Sequence, residues 1–112
     1  MHIEFKSNKL KKLCETFDAA KRKWGEPCAK KLTQRLNEAL ASPTLLDFSK
    51  IQSAKCHALT ADRKGQYAVC LDGPRRLIFE PILGNDANDD KGVLDYSKID
   101  AVMIIEVVDY HE

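Results

Sequence analysis

Apolar residues recur along this chain with two different periods, and the change from one to the other divides it. Leu10, Leu13, Cys14, Phe17, Ala20 and Trp24 fall at steps of three and four, the spacing that collects one face of an α-helix. Lys9, Lys11, Lys12, Lys21 and Lys23 fill the other face. The pattern predicts one amphipathic helix, with Ser7 or Asn8 placed to cap it. Gly25 ends that run, and Pro27 suits the first turn of a following helix, where its missing N–H costs nothing. Ala29, Leu32, Leu36, Ala39 and Leu40 line this second helix, which should stop near Ser42 and Pro43. The two helices predict a helical hairpin.

Before and after the hairpin the period is two. Ile3 and Phe5 alternate with polar neighbours, as in a short first strand. Residues 44–54, TLLDFSKIQSA, read as irregular. Segments 55–60, 66–72 and 76–82 then alternate, with Tyr67, Val69 and Leu71 on one face, and with Leu77 and Phe79 opposed to Ile78. Their connectors, ADRKG and Asp72-Gly73-Pro74, are short and made of turn residues, so an antiparallel meander is expected.

The last segment, AVMIIEVVDYH (101–111), is a nearly continuous apolar run of the kind buried on both faces of a sheet. Regular alternation places Asp109 and His111 on the face of Met103, Ile105 and Val107, and Tyr110 with Glu106 and Val108. A strand that turns polar at its tip is a rigid mount for reactive groups. It is equally the ordinary fraying of a strand into a polar end.

Residues 84–98, GNDANDDKGVLDYSK, form a long acidic connection ahead of that strand. Asp86, Asn88 and Asp90 match the first three liganding positions of a calcium loop. Lys91 stands where glycine is required and Ser97 where a bidentate glutamate belongs, so a solvated, mobile loop is expected instead.

A chain of 112 residues suits a single domain, residues 1–112, and its charged fraction of 31% with 44% hydrophobic residues is that of a soluble globular protein. The net charge of +1 conceals an asymmetry: residues 1–40 carry +5, 41–82 carry +2 and 83–112 carry −6. The basic part offers a surface to phosphate, either as an RNA-binding strip or as an ordinary solvated face. No apolar run reaches the roughly 20 residues of a membrane helix, and the first residues lack the apolar core of a signal peptide, which points to the cytoplasm. Cys14, Cys28, Cys56 and Cys70 are scattered without a CxxC pair, which argues against zinc and for reduced, mostly buried thiols.

Basic residues and His57 gather at the ends and turns of the predicted meander. The stretch HALTADRKGQYAV, then GPRRLIF, then a terminal VVDYH resembles the HigB-type toxins of the RelE/ParE superfamily, the toxin halves of bacterial toxin and antitoxin pairs. The resemblance spans residues 2–111 and rests on the His-x-Leu, Asp-Arg-Lys-Gly, Arg-Leu-x-Phe and Asp-Tyr-His elements in this order. It implies an α+β, RelE-like fold, with an N-terminal strand and helical hairpin packed on a mainly antiparallel sheet. It also implies a cytoplasmic, ribosome-dependent mRNA endonuclease without metal or cofactor. The implied partners are the ribosome and its mRNA, and a HigA-type helix-turn-helix antitoxin that links the toxin indirectly to operator DNA; no membrane is involved.

Carried over position by position, the resemblance marks His57, Arg76, Asp109, Tyr110 and His111 as catalytic. Many relatives have a basic residue three positions after the first histidine, where this chain has Thr60; Lys55, Arg63 or Lys64 can supply that charge, with Arg75 as a further RNA contact. The chemistry is self-consistent. RNA carries its own nucleophile in the 2′-OH, so cleavage needs a base, an acid and cations around the phosphorane. Imidazole, with an unperturbed pKa of about 6.5, serves either proton step. His111 is expected as principal acid or base with Asp109 orienting it, His57 as the second proton-transfer group, Arg76 on the scissile phosphate and Tyr110 on a nucleotide. Other readings remain open at this point. Arg76 could pair with Glu80 or Asp72, and the chain could be a non-catalytic gyrase-poisoning relative or a degenerate toxin that only binds antitoxin.

Overall fold

Ser7 does cap the first helix, its Oγ accepting the Leu10 N–H at 3.1 Å. The structure, a computed structural model, describes residues 1–84, 87–88 and 91–109. A short strand β1 (His2–Phe5) leads into α1 (Asn8–Glu15), α2 (Phe17–Trp24), α3 (Glu26–Ala41) and the single-turn α4 (Leu45–Ser49). Strands β2 (His57–Ala58), β3 (Tyr67–Cys70), β4 (Arg75–Pro81) and β5 (Ala101–Asp109) follow. With four α-helices and five strands among the described residues, this is the expected α+β fold.

The helical region differs from expectation in two places. The apolar stripe from Leu10 to Trp24 is carried by two helices, because Thr16 is extended at φ −111° and ψ 105°. Its N–H donates to Lys12 O and its carbonyl accepts from Ala20 N–H, so one residue closes α1 and opens α2. Leu10, Cys14, Ala20 and Trp24 still pack against the core across the break, whereas Phe17 is exposed. Residues 44–54, expected to be irregular, contain α4 and a 3-10 turn at Gln52–Ala54. The signal was present: Thr44 and Asp47 form a capping box, each side chain serving the other's backbone end of the turn.

The five strands form one sheet in the order β1-β5-β4-β3-β2, with β1 parallel to β5 and every other pair antiparallel. The helices cover one face. Leu32, Leu36, Leu45 and Phe48 pack there against Tyr67, Val69, Leu77, Phe79, Val102 and Ile104. On the open face, among the described residues, Ala68, Ile78 and Ile105 form the buried cluster, flanked by Leu59, Met103 and Val108. The last strand is therefore fully covered on one side and only partly on the other. Among the described residues no helix is long and apolar enough to cross a membrane.

A β-bulge corrects the face assignment in β5. Ile78 is opposite Glu106 while Phe79 is opposite Ile104, so β5 holds one more residue than β4 at this step. Beyond it the alternation is reversed. Val107 packs into the main core with Val102 and Ile104, whereas Val108 joins Met103 and Ile105 on the open face. Asp109, the register partner of Arg75, consequently lies on the helix-side face and not with Met103 and Ile105.

The connection 84–98 is anchored in its described part, not wholly solvated. Ala87 is buried, Leu94 and Tyr96 pack against the core, and the Tyr96 ring meets Tyr67 edge-on at 5.7 Å. Asp86 and Asp90 lie outside the described residues.

Candidate functional site

Residues from three elements meet in a hollow of about 490 Å³ on the open side of the sheet, lined by His57, Leu59, Thr60, Asp62, Arg63 and Arg76 together with Ala61. His57 stands on β2, a strand of two residues bracketed by unusual backbone. Lys55 (φ 50°) and Ala61 (φ 54°) both occupy the left-handed region. For a residue with a β-carbon that conformation costs about 1–3 kcal/mol. Tight turns hold it: Lys55 N–H donates to Gln52 O, and Lys64 N–H to Ala61 O.

The turn before β2 also sets the imidazole. His57 Nδ1 lies 2.8 Å from Lys55 O. A carbonyl can only accept, so Nδ1 carries a proton, and in the neutral form of the ring the lone pair is at Nε2. Ser53, just upstream, is held by Arg35, which is 2% exposed inside the protein. Arg35 Nη2 donates to Ser53 O at 2.8 Å, its Nε to Cys70 O at 2.7 Å, and its Nη1 to Glu38 Oε1 at 2.7 Å. One guanidinium thus ties α3 to the end of β3 and to the segment that delivers His57.

Arg76 shares the hollow because Arg76 and Cys70 are register partners on the face carrying Ala68, itself the partner of His57. Strand spacing puts the two Cα atoms roughly 12 Å apart, with both side chains on one face. A group between them meets imidazole from one side and guanidinium from the other. Arg76 pairs with neither Glu80 nor Asp72. Its Nη1 donates to Gly73 O and Arg75 O, both at 2.8 Å, while Nε and Nη2 make no hydrogen bond among the described residues.

The other expected site residues are distributed differently. Arg63 lines the hollow, but its guanidinium is engaged by Gln66 at 2.8 Å and Glu106 at 3.1 Å. Lys55 and Lys64 are exposed and outside the lining; Lys55 contributes through its carbonyl. Arg75 does not line the hollow. Its side chain turns to the helix face, where Nη1 donates to Trp24 O at 2.7 Å and pairs with Asp72 at 3.5 Å, stitching β4 to the end of α2. Asp109 is on that same face, since the bulge reverses the alternation ahead of it, and it does not line the hollow. Tyr110 and His111 lie outside the described residues.

Sequence reading missed Arg35 and Glu106. Arg35 stands at the helical spacing of Leu32, Leu36 and Ala39, so it was on the buried stripe from the start. Glu106 was a lone carboxylate within an apolar run, which is a mark worth following. All four cysteines are free thiols, and none of them lines the hollow. Burial pushes Cys14 up to about 12, and Cys28 and Cys56 each to about 11, with the Asp72 hydrogen bond and charge adding to the rise at Cys28. A second, more apolar hollow of about 360 Å³ between β1 and the helices, lined by Ile3, Phe5, Phe17 and Leu40, contains only Cys14 among them.

No protein-family model matches this chain, and no curated protein matches it.

Proposed function

We propose that the hollow is a nucleolytic site for RNA and that the protein is a small endoribonuclease. Within that class we infer a HigB-type toxin of the RelE/ParE superfamily, cutting mRNA on the ribosome and neutralised by a helix-turn-helix antitoxin. The observation that carries this reading is the pairing of His57 and Arg76 in one solvent-open hollow, with the imidazole tautomer set by Lys55 O and part of the guanidinium available to an anion.

The division of labour follows from this geometry. Arg76 binds the scissile phosphate and neutralises charge as the phosphorane forms. His57, through Nε2, takes or returns a proton, a role worth about 10²–10⁴ in rate. His111 and Tyr110 supply the partner proton-transfer group and the nucleotide contact on the resemblance alone. Thr60, which lines the hollow where many relatives carry a cation, offers a hydroxyl hydrogen bond to phosphate in place of charge. Asp109 orients His111, likewise on the resemblance alone.

Induced expression in a bacterial host, with mapping of mRNA 5′ ends, tests the proposal. Growth arrest with cuts inside codons is expected, relieved by His57→Ala, Arg76→Ala or His111→Ala. Arrest with DNA breaks and intact mRNA overturns it in favour of gyrase poisoning. Full toxicity of Arg76→Ala overturns the assigned mechanism.

A further inference from the structure

Arg63 is the second arginine of the hollow beside Arg76, and in the free protein it is already occupied. Its Nη2 donates to Glu106 Oε2 at 3.1 Å and its Nη1 to Gln66 Oε1 at 2.8 Å, while Gln66 Nε2 donates to Glu80 Oε1 at 3.1 Å. The chain Glu106, Arg63, Gln66, Glu80 thereby runs along the rim and ties the turn after β2 to strands β4 and β5. The Arg63 and Glu106 side chains are 32% and 47% exposed. An ion pair so open to water is weak and yields readily to a stronger acceptor.

The bulge is what brings Glu106 there. Strict alternation from Ile104 would put residue 106 on the helix-side core face with Val102, whereas the extra residue at Ile105 turns Glu106 to the open face opposite Ile78. Bulges commonly re-aim one side chain in this way beside functional sites. The Glu106 carboxylate is 47% exposed and pairs with one of the two arginines of a hollow whose lining also includes Asp62.

We propose that Glu106 is a latch on Arg63: it holds the guanidinium at the rim of the empty site and releases it to a backbone phosphate of an entering RNA strand. Glu106 is then a positioning residue that sets how tightly the site takes RNA. Gln66 keeps the guanidinium close to the hollow through the exchange. The proposal rests on the nuclease reading for the identity of the ligand alone.

The test is a binding cycle on the full chain with a short single-stranded RNA, 2′-O-methylated at every sugar so that it cannot be cut. Glu106→Gln, which preserves shape and removes the charge, should tighten binding about twofold to fivefold, the range an exposed ion pair spans. In an Arg63→Gln background the same change should have little effect, because the latch has nothing to hold. The Arg63 side-chain N–H resonances should move on RNA addition in the parent and be shifted beforehand in Glu106→Gln. Equal effects of Glu106→Gln in both backgrounds mean a general charge effect and overturn the latch. Absence of RNA binding by both the parent and Glu106→Gln overturns it as well. Neither result touches the nuclease reading, which is decided by cleavage in cells.

Discussion

Arg35→Ala is the most demanding test of how the site is held. The change strips the guanidinium from a position that is 2% exposed and leaves three groups behind. Cys70 O and Ser53 O lose their donors, and Glu38 loses its counter-ion. A buried acceptor left without a partner costs about 1–3 kcal/mol, and breaking a buried ion pair costs about 3–5 kcal/mol. The contributions overlap, and water can reach Glu38, whose side chain is 21% exposed. A net loss of about 3–5 kcal/mol is expected. An unfolding entropy of about 2.1 cal/mol/K per residue makes that a fall in Tm of about 13–21 °C. Urea and thermal unfolding followed by circular dichroism measure it. Arg35→Met, which keeps the stem and loses the polar head, should recover only the packing part of the loss. Because Ser53 precedes His57 closely in the chain, the residual folded Arg35→Ala protein should also lose activity at a temperature where it is fully folded. A stability within 1 kcal/mol of the parent would refute the view that this guanidinium organises the segment before β2.

Further outcomes follow from other parts of the molecule. Gly25, at φ 89° and ψ 162°, joins α2 to α3 in a conformation open to glycine alone, and an added Cβ meets nothing closer than Pro27 Cδ at 3.9 Å. Gly25→Ala should therefore cost about 1–3 kcal/mol through backbone strain without a clash, read from urea midpoints. The thiols of Cys14, Cys28 and Cys56 are raised from an ordinary 9.0, chiefly by burial. Raised acids favour the folded state's protonated form, so their stabilisation is complete below pH 9 and is lost as pH climbs through about 11–12; urea midpoints should fall between pH 8 and pH 10.5. At pH 8 a thiol reagent should leave the buried Cys14 and Cys28 unmodified until urea is added, and rapid labelling of either in the native protein would contradict their burial. In purified ribosome-dependent assays, His57→Ala should lower the cleavage rate at least about 10²-fold with the Tm unchanged, since the residue is exposed.

Local patterns carried most of the architecture. Steps of three and four identified most of the helical stripe even though Thr16 divides it, because Leu10 and Cys14 before the break and Ala20 and Trp24 after it pack against the same core, while Phe17 beside the break is exposed. Alternation found β3 and β4 and the faces of Tyr67, Val69, Leu77 and Phe79, since each strand has one face against a thick helical layer and one against little. The pairing of His57 with Arg76 was expected from the resemblance, and the register that joins them runs through β3. What tertiary structure alone decided was the destination of particular charges. Arg75 and Arg76 are neighbours in one strand and so alternate to opposite faces; that one face meets the carbonyl end of α2 and the other the hollow is set by the sheet's position beneath the helices. The bulge at Ile105 is likewise a property of two strands in register and not of either sequence by itself. It moves Asp109 away from the hollow and Glu106 toward it, because adding one residue to one side of a ladder exchanges the faces of everything beyond.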